Sequence, residues 1–167
     1  MKTPILDRLK QATRERHEVL EGKLPLLDPH LSLDNYRHLV SKFYGYYAPM
    51  ELMLLALPWW DEVGLNVNER QKAPGLEQDL LVLGYKPETL AQLPRCQQLP
   101  EVNSISQFLG CLYVMEGATL GGQIIAKHLQ ANLSITQKTG AAFFNGYGVQ
   151  TAKHWKAFCT LLIRVYL

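Results

Sequence analysis

The chain has 167 residues, of which 47% are hydrophobic and 19% are charged, and its formal net charge at pH 7 is +2. This length suits one domain with a sizeable core, so residues 1–167 are expected to form a single domain. The small net charge argues against nucleic acid as a partner, and the low charged fraction leaves room for an apolar ligand cleft.

Several features of the sequence favour a cytoplasmic protein that does not associate with a membrane. Met1–Pro4 leads directly into charged residues, without the apolar core of a signal peptide. The longest apolar run, Leu52–Trp60, is too short to cross a bilayer and contains Pro58. The chain stops inside an amphipathic segment, so we expect a short or truncated C-terminus. The cysteines form no metal or disulfide pattern, and they are Cys96, Cys111 and Cys159.

Helical periodicity dominates the chain, and no strong alternating run of β-branched residues interrupts it, which predicts an all-α fold. The apolar spacing predicts a first helix over about 6–22, followed by a proline-containing loop. Ser32 is expected to cap a long second helix over about 33–57, which ends before Pro58.

The middle of the chain is expected to contain two shorter helices. A loop over Gly64–Val67 precedes a third helix over about 70–83, for which Gly84 supplies the C-terminal stop. Pro87 suits the first turn of a short fourth helix, because proline is well accommodated there.

The C-terminal part is expected to contain two further helices separated by an irregular segment. Ser104 or Ser106 would cap a long fifth helix that runs to about Ala131. Residues 132–148 contain a turn and an aromatic, glycine-rich stretch. The last helix is predicted over about Val149–Leu167.

One face of the first predicted helix carries an imidazole and two cations. Lys10, Thr13, Arg14 and His17 are spaced so that they lie on the same side of the helix. A neutral imidazole is a good iron ligand, and cations one or two turns away suit carboxylates such as the propionates of haem. From the spacing alone, an ordinary charged surface helix is the simpler interpretation.

The segment Tyr113–Gln123 carries three glycines inside an otherwise apolar helical pattern. Each glycine costs up to about 1 kcal/mol relative to alanine in a helix interior, so some interaction should offset that cost. Gly117 and Gly121 share a face, where bare backbone would let a flat body lie close. The alternative is close packing against another helix, which the spacing alone favours.

Two of these segments resemble motifs of a known family. Leu9–His17 resembles the proximal-helix motif of haem oxygenases, and Tyr113–Gln123 resembles their distal-helix motif. The resemblance covers nearly the whole chain in order. Three further stretches resemble the bacterial branch associated with bacteriophytochromes, namely Phe43–Glu51, Asp79 with Leu80–Gly84, and Phe143–Trp155.

The resemblance implies a single-domain, all-α bundle of the haem oxygenase type, with haem between a proximal and a distal helix. It implies catalytic roles for His17, Gly117 and Gly121, with His17 as the metal ligand that holds the iron. Lys153 or Lys156 of the last helix would be a further propionate partner. The residues expected to bind haem are Lys10, Thr13, Arg14, His17, Tyr113, Gly117, Leu120, Gly121, Lys153 and Lys156.

The implied reaction uses haem as both cofactor and substrate. Molecular oxygen and electrons from an external reductase or ferredoxin open the ring, which gives biliverdin, carbon monoxide and ferrous iron. A bacteriophytochrome is a candidate acceptor of the bilin. The sequence departs from the family at Ala118, where many members carry an aspartate that organises the proton-delivering water, and the neighbouring Glu116 need not face the haem.

Three other functions compete with this interpretation. The departure at Ala118 keeps open a haem carrier or sensor without turnover. A di-iron oxidase or a thiamin-degrading relative would need several inward Glu and His residues, and the sequence has no Glu-x-x-His pair. A helical interaction module would explain the glycines by packing but leaves the face that carries His17 unexplained.

Overall fold

The computed structural model describes residues 4–166, and α-helices dominate that range. The predictions that concern Met1–Thr3 and Leu167 lie outside the described residues. The helices are α1 (Ile5–Lys23), α2 (Leu33–Leu55), α3 (Trp59–Val63), α4 (Val67–Arg70), α5 (Ala73–Val82), α6 (Pro87–Gln92), α7 (Ile105–Leu133), α8 (Ala142–Asn145) and α9 (Thr151–Tyr166).

The predicted all-α class is confirmed, and so are the caps of the two longest helices. Ser32 Oγ accepts a hydrogen bond of 3.1 Å from Asn35 N at the start of α2. Ser104, rather than Ser106, caps α7, because its Oγ accepts from Gln107 N at 3.2 Å. Each side chain thereby satisfies one of the backbone N–H groups that a helix start leaves without a partner.

The sequence-based prediction was wrong between the second and third helices. The second helix ends at Leu55, and α3 (Trp59–Val63) follows it where no helix was predicted. Pro58 directly precedes α3. Trp60 Nε1 donates a hydrogen bond of 2.9 Å to the carbonyl of Leu54, and this bond connects α3 to the end of α2. Gly64 then ends α3 in the left-handed conformation, with φ of 72°.

Remote carboxylates cap two helix starts that the sequence did not predict. The third predicted helix starts at Ala73 rather than at residue 70, since the backbone N–H groups of Lys72 and Ala73 donate to the Glu51 carboxylate of α2. The unpredicted helix α8 lies within the segment 132–148 and starts where the Asp79 carboxylate of α5 accepts two backbone N–H groups.

Helix α7 lies at the centre of the packing and contacts α8 and α9, while α2 packs on α5 and α1 packs on α9. Its inner face buries residues that recur every three or four positions, which are Phe108, Leu112, Met115 and Thr119. Among the described residues, α7 alone is long and apolar enough to cross a bilayer, and its place in the core accounts for that composition equally well. The expected lack of membrane association stays a prediction.

Asp79 generates a prediction about the pH dependence of stability. Its carboxylate is 1% exposed and accepts from Ala142 N at 2.7 Å and Phe143 N at 2.9 Å. Burial raises the pKa of Asp79 to about 6, although both hydrogen bonds lower it. The folded protein therefore holds this proton more tightly than the unfolded chain, and the stabilising effect of protonation is complete below about pH 4.

We expect this contribution to disappear as the pH rises through about 6. The stability of the parent relative to the Asp79→Asn variant should therefore fall by about 2 kcal/mol between pH 4 and pH 8. Urea unfolding of both proteins across that pH range measures the difference. Asp34→Asn, at an exposed aspartate, is the control, and the prediction fails if the Asp79 variant keeps a constant offset from the parent.

Candidate functional site

The outer face of α7 is apolar and exposed, which is unusual for a helix whose other face forms the core. Val114, Gly117, Gly121 and Ile124 lie on this side, and we call these four residues the glycine strip. The exposed fractions of Val114 and Ile124 are 54% and 62%, and the neighbouring Leu120 is also exposed. Contiguous apolar surface of this kind marks a binding site more often than a solvated helix face.

The three clustered glycines of α7, at positions 117, 121 and 122, meet different surroundings. A Cβ atom on Gly122 would lie 2.6 Å from the Phe144 carbonyl oxygen, so close packing of the backbone requires that glycine. A Cβ on Gly121 would meet no atom within 4 Å, and one on Gly117 would touch the Trp155 ring at an ordinary 3.5 Å. Packing within the protein therefore explains Gly122 but neither glycine of the strip.

The predicted ligand face of α1 is exposed along its length. Lys10 points to solvent, and Arg14 forms an ion pair of 2.9 Å with Glu18. The His17 side chain is 65% exposed, and its Nδ1 lies 3.6 Å from Glu21 Oε2. The imidazole is thus free to bind a ligand through its other nitrogen, with a carboxylate beside the first.

Thr13 of α1 is close enough to Tyr113 of α7 to affect its pKa. Burial and the nearby Cys159 raise the pKa of Tyr113, while a side-chain hydrogen bond with Thr13 lowers it. Thr13 precedes His17 by four residues, and Tyr113 precedes Gly117 by four. Thr13 and Tyr113 therefore each lie about 6 Å along their helix from one of the two central site residues.

Helix α9 borders the glycine strip and packs against α1 and α7. Lys153 and Lys156 are exposed on α9, and neither has an ion-pair partner among the described residues. Between them, Trp155 lies with its ring centroid 5.5 Å from that of Tyr113. Trp155 is the last residue of the Phe143–Trp155 stretch that resembles the bacterial branch. The sequence alone did not predict a role for its indole.

A buried ionic cluster lies behind the glycine strip, and the sequence did not predict it. Glu116 is 1% exposed, and its carboxylate binds Arg70 Nη1 at 2.5 Å and Lys72 Nζ at 2.7 Å. Tyr147 donates its hydroxyl to the same carboxylate at 2.8 Å. Arg70 ends α4 and Lys72 directly precedes α5, so no helical spacing relative to Glu116 reveals these pairs in the sequence.

Burial shifts the pKa values within this cluster in opposite directions. It lowers the pKa of Lys72, against the attraction of Glu116, and it raises the pKa of Glu51, against two backbone hydrogen bonds. The cluster also lines a cavity of about 10 Å³, which has room for about one water. Glu116 thus faces inward, away from the strip, and is not a direct ligand-binding residue.

The residues of the site suit an iron held in a porphyrin better than a metal centre built from side chains. Within residues 4–166, no three His, Cys, Asp or Glu side chains come together as a metal site. A di-iron centre needs several such ligands, whereas haem iron needs one axial side chain. An exposed imidazole, surrounding cations and a bare apolar strip fit a flat, acidic, iron-bearing ligand.

Comparison with known proteins gives one family and one curated relative. The model of the family described as "Heme oxygenase" matches residues 3–166 of this chain. A protein of Xanthomonas campestris pv. campestris (strain 8004), named heme oxygenase, is 32% identical over 102 residues. That alignment covers 60% of this chain and 56% of the relative, so the chain spans little more than half the relative's length.

The contrast between two adjacent glycines can be tested by alanine substitution. Gly121→Ala should raise the free energy of unfolding by up to about 1 kcal/mol, because alanine favours the helix and meets no atom. Gly122→Ala should lower it by about 1–3 kcal/mol, because the new methyl group overlaps the Phe144 carbonyl. Urea unfolding without added ligand measures both. Equal destabilisation by the two variants would mean that packing explains both glycines.

Proposed function

The chain belongs to the haem oxygenase family, and from that membership we propose that it opens the porphyrin ring of haem to give biliverdin, carbon monoxide and ferrous iron. The observation that carries the proposal is the bare backbone at Gly121 on an exposed apolar face. Among residues 4–166, no neighbour packs closely enough to account for a glycine there. A flat ligand that lies directly on the helix does account for it.

We propose that His17 holds the haem iron through Nε2. The Nδ1 atom is on the side of Glu21, and a carboxylate beside one nitrogen orients the ring and makes the other a better donor. The contact between Thr13 and Tyr113 supports this role, because it brings α1 to the side of α7 that carries the glycine strip.

The exposed cations would bind the two propionates. Lys10 and Arg14 precede His17 by about two turns and one turn on the same face of α1, and Lys153 or Lys156 would contribute from α9. Arg14 also pairs with Glu18 at the surface, an interaction weak enough to be exchanged for a propionate. These contacts would fix how the porphyrin is rotated about the iron.

Bound haem supplies the iron that activates oxygen and is itself the substrate, with electrons from an external reductase or ferredoxin. The backbone at Gly117 and Gly121 would approach the ring closely and thereby limit which meso carbon is attacked. Ala118 has no proton donor, so we propose that water bound to the backbone of the strip delivers the proton. A cytoplasmic location and a bacteriophytochrome as bilin acceptor belong to the same proposal.

Replacing His17 tests the iron ligand. His17→Ala should abolish the absorption spectrum of histidine-ligated haem and weaken haem binding by at least about tenfold, since a metal–ligand bond is lost. His30→Ala is the matched control, because His30 is also exposed but lies outside α1. Spectral titration with haem measures both variants. An unchanged spectrum for the His17 variant would refute the assignment.

Turnover distinguishes the enzyme from a haem carrier, the alternative that Ala118 supports. Haem, oxygen and a reductant should yield a green bilin with the parent protein, detected by absorption and chromatography. The Gly121→Ala variant, although at least as stable, should bind haem about tenfold more weakly, because its methyl group occupies the ligand's place. Haem that binds to the parent but stays intact would establish the carrier instead.

A further inference from the structure

Trp155 covers the glycine strip at Gly117. Its Cη2 and Cζ3 atoms would lie 3.5 Å and 3.6 Å from a Cβ on Gly117, so the benzene edge of the indole covers that glycine. A Cβ atom on Gly121 would meet no atom within 4 Å. The two glycines therefore differ: the strip is walled at Gly117 and open at Gly121.

The Trp155 indole packs against the aromatic rings of Phe158 and Tyr113. Its ring centroid lies 6.0 Å from that of Phe158, which is fully buried, and 5.5 Å from that of Tyr113. These two aromatic contacts favour the observed orientation of the half-buried indole.

The neighbouring His154 ties this part of α9 to the ionic cluster. Its ring stacks on Tyr147, with centroids 4.0 Å apart and planes inclined by 6°. The Tyr147 hydroxyl donates to the buried Glu116 carboxylate, which belongs to the residue directly before Gly117. The position of Trp155 relative to Gly117 is thus fixed from both α7 and α9.

We propose that Trp155 contacts the bound porphyrin and sets its position along the glycine strip, and that it thereby determines which meso carbon is opened. This inference rests on the proposed function. A flat ring that lies on Gly121 meets the indole when it moves toward Gly117, so the indole acts as a steric stop. An aromatic side chain also attracts the ring edge, which favours contact over a gap.

Fluorine NMR tests the contact without turnover. Labelling with 5-fluorotryptophan gives three resonances, one for each tryptophan, and Trp155→Phe identifies that of Trp155. Zinc protoporphyrin IX, which does not turn over, should shift the Trp155 resonance and leave those of Trp59 and Trp60 in place. Those two indoles lie against Phe108 on the inner face of α7. An unshifted Trp155 resonance with the probe bound overturns the proposal.

Substitution tests the effect on specificity. Trp155→Ala should weaken haem binding roughly five- to tenfold and convert one biliverdin isomer into a mixture, whereas Trp155→Phe should restore most of the selectivity. Trp59→Phe is the control for loss of an indole outside the strip, and it should leave the isomer pattern as in the parent. An unchanged isomer pattern in the Trp155→Ala variant overturns the assigned role.

The two proposals fail in different ways. If the proposed function is wrong, the parent binds no haem at all, or it binds haem and leaves the ring intact. If only the role of Trp155 is wrong, haem binds through His17 and is opened, but neither the fluorine resonance nor the isomer pattern responds to the indole. Unfolding by urea shows whether each variant is folded under the conditions of the assay.

Discussion

The arrangement of the site depends on the interactions of the buried Glu116 carboxylate. It binds two cations from the segment before α5 and the hydroxyl of Tyr147, so three parts of the chain meet at one side chain. Loss of one partner from such a cluster leaves a buried charge uncompensated, which typically costs about 3–5 kcal/mol. These contacts hold α7 from behind at the residue that directly precedes Gly117.

These contacts matter because α7 has low helix propensity at the same glycines that expose its backbone to the site. Its three clustered glycines each forfeit up to about 1 kcal/mol of helix propensity. The inner face offsets that loss by ionic contacts at Glu116, by the hydrogen bond from Thr119 to the Glu116 carbonyl, and by close packing at Gly122. One side of the helix is therefore fixed tightly, which lets the other expose its backbone without losing its shape.

The sequence predicted most of the helices, and local signals explain why. The caps at Ser32 and Ser104 and the stop at Gly84 act within a few residues of their helix ends. The start of α5 and the whole of α8 could not be predicted in this way. Their caps are the carboxylates of Glu51 and Asp79. These residues lie 21 and 63 positions before the first residue whose N–H group donates a hydrogen bond to them.

The candidate site shows the same division. The spacing of His17 on α1 and of the glycines on α7 is visible in the sequence, and so are the two helix motifs to which they belong. Spacing alone could not decide between ligand binding and packing, because the answer differs from one glycine to the next. Gly122 packs against the Phe144 backbone, whereas Gly121 faces open space. Only the position of the Phe144 backbone, 22 residues after Gly122, separates the two cases.

The packing of α1 bears on how ligand binding and stability are coupled. None of its described residues is buried, and it adjoins the rest of the protein through α9 and through the contact between Thr13 and Tyr113. A ligand held by His17 on one side and by the glycine strip on the other would therefore add a large share of the contacts that fasten α1. Because a ligand that binds only the folded state stabilises it in proportion to its affinity, haem would act as a structural link between the two helices as well as a substrate.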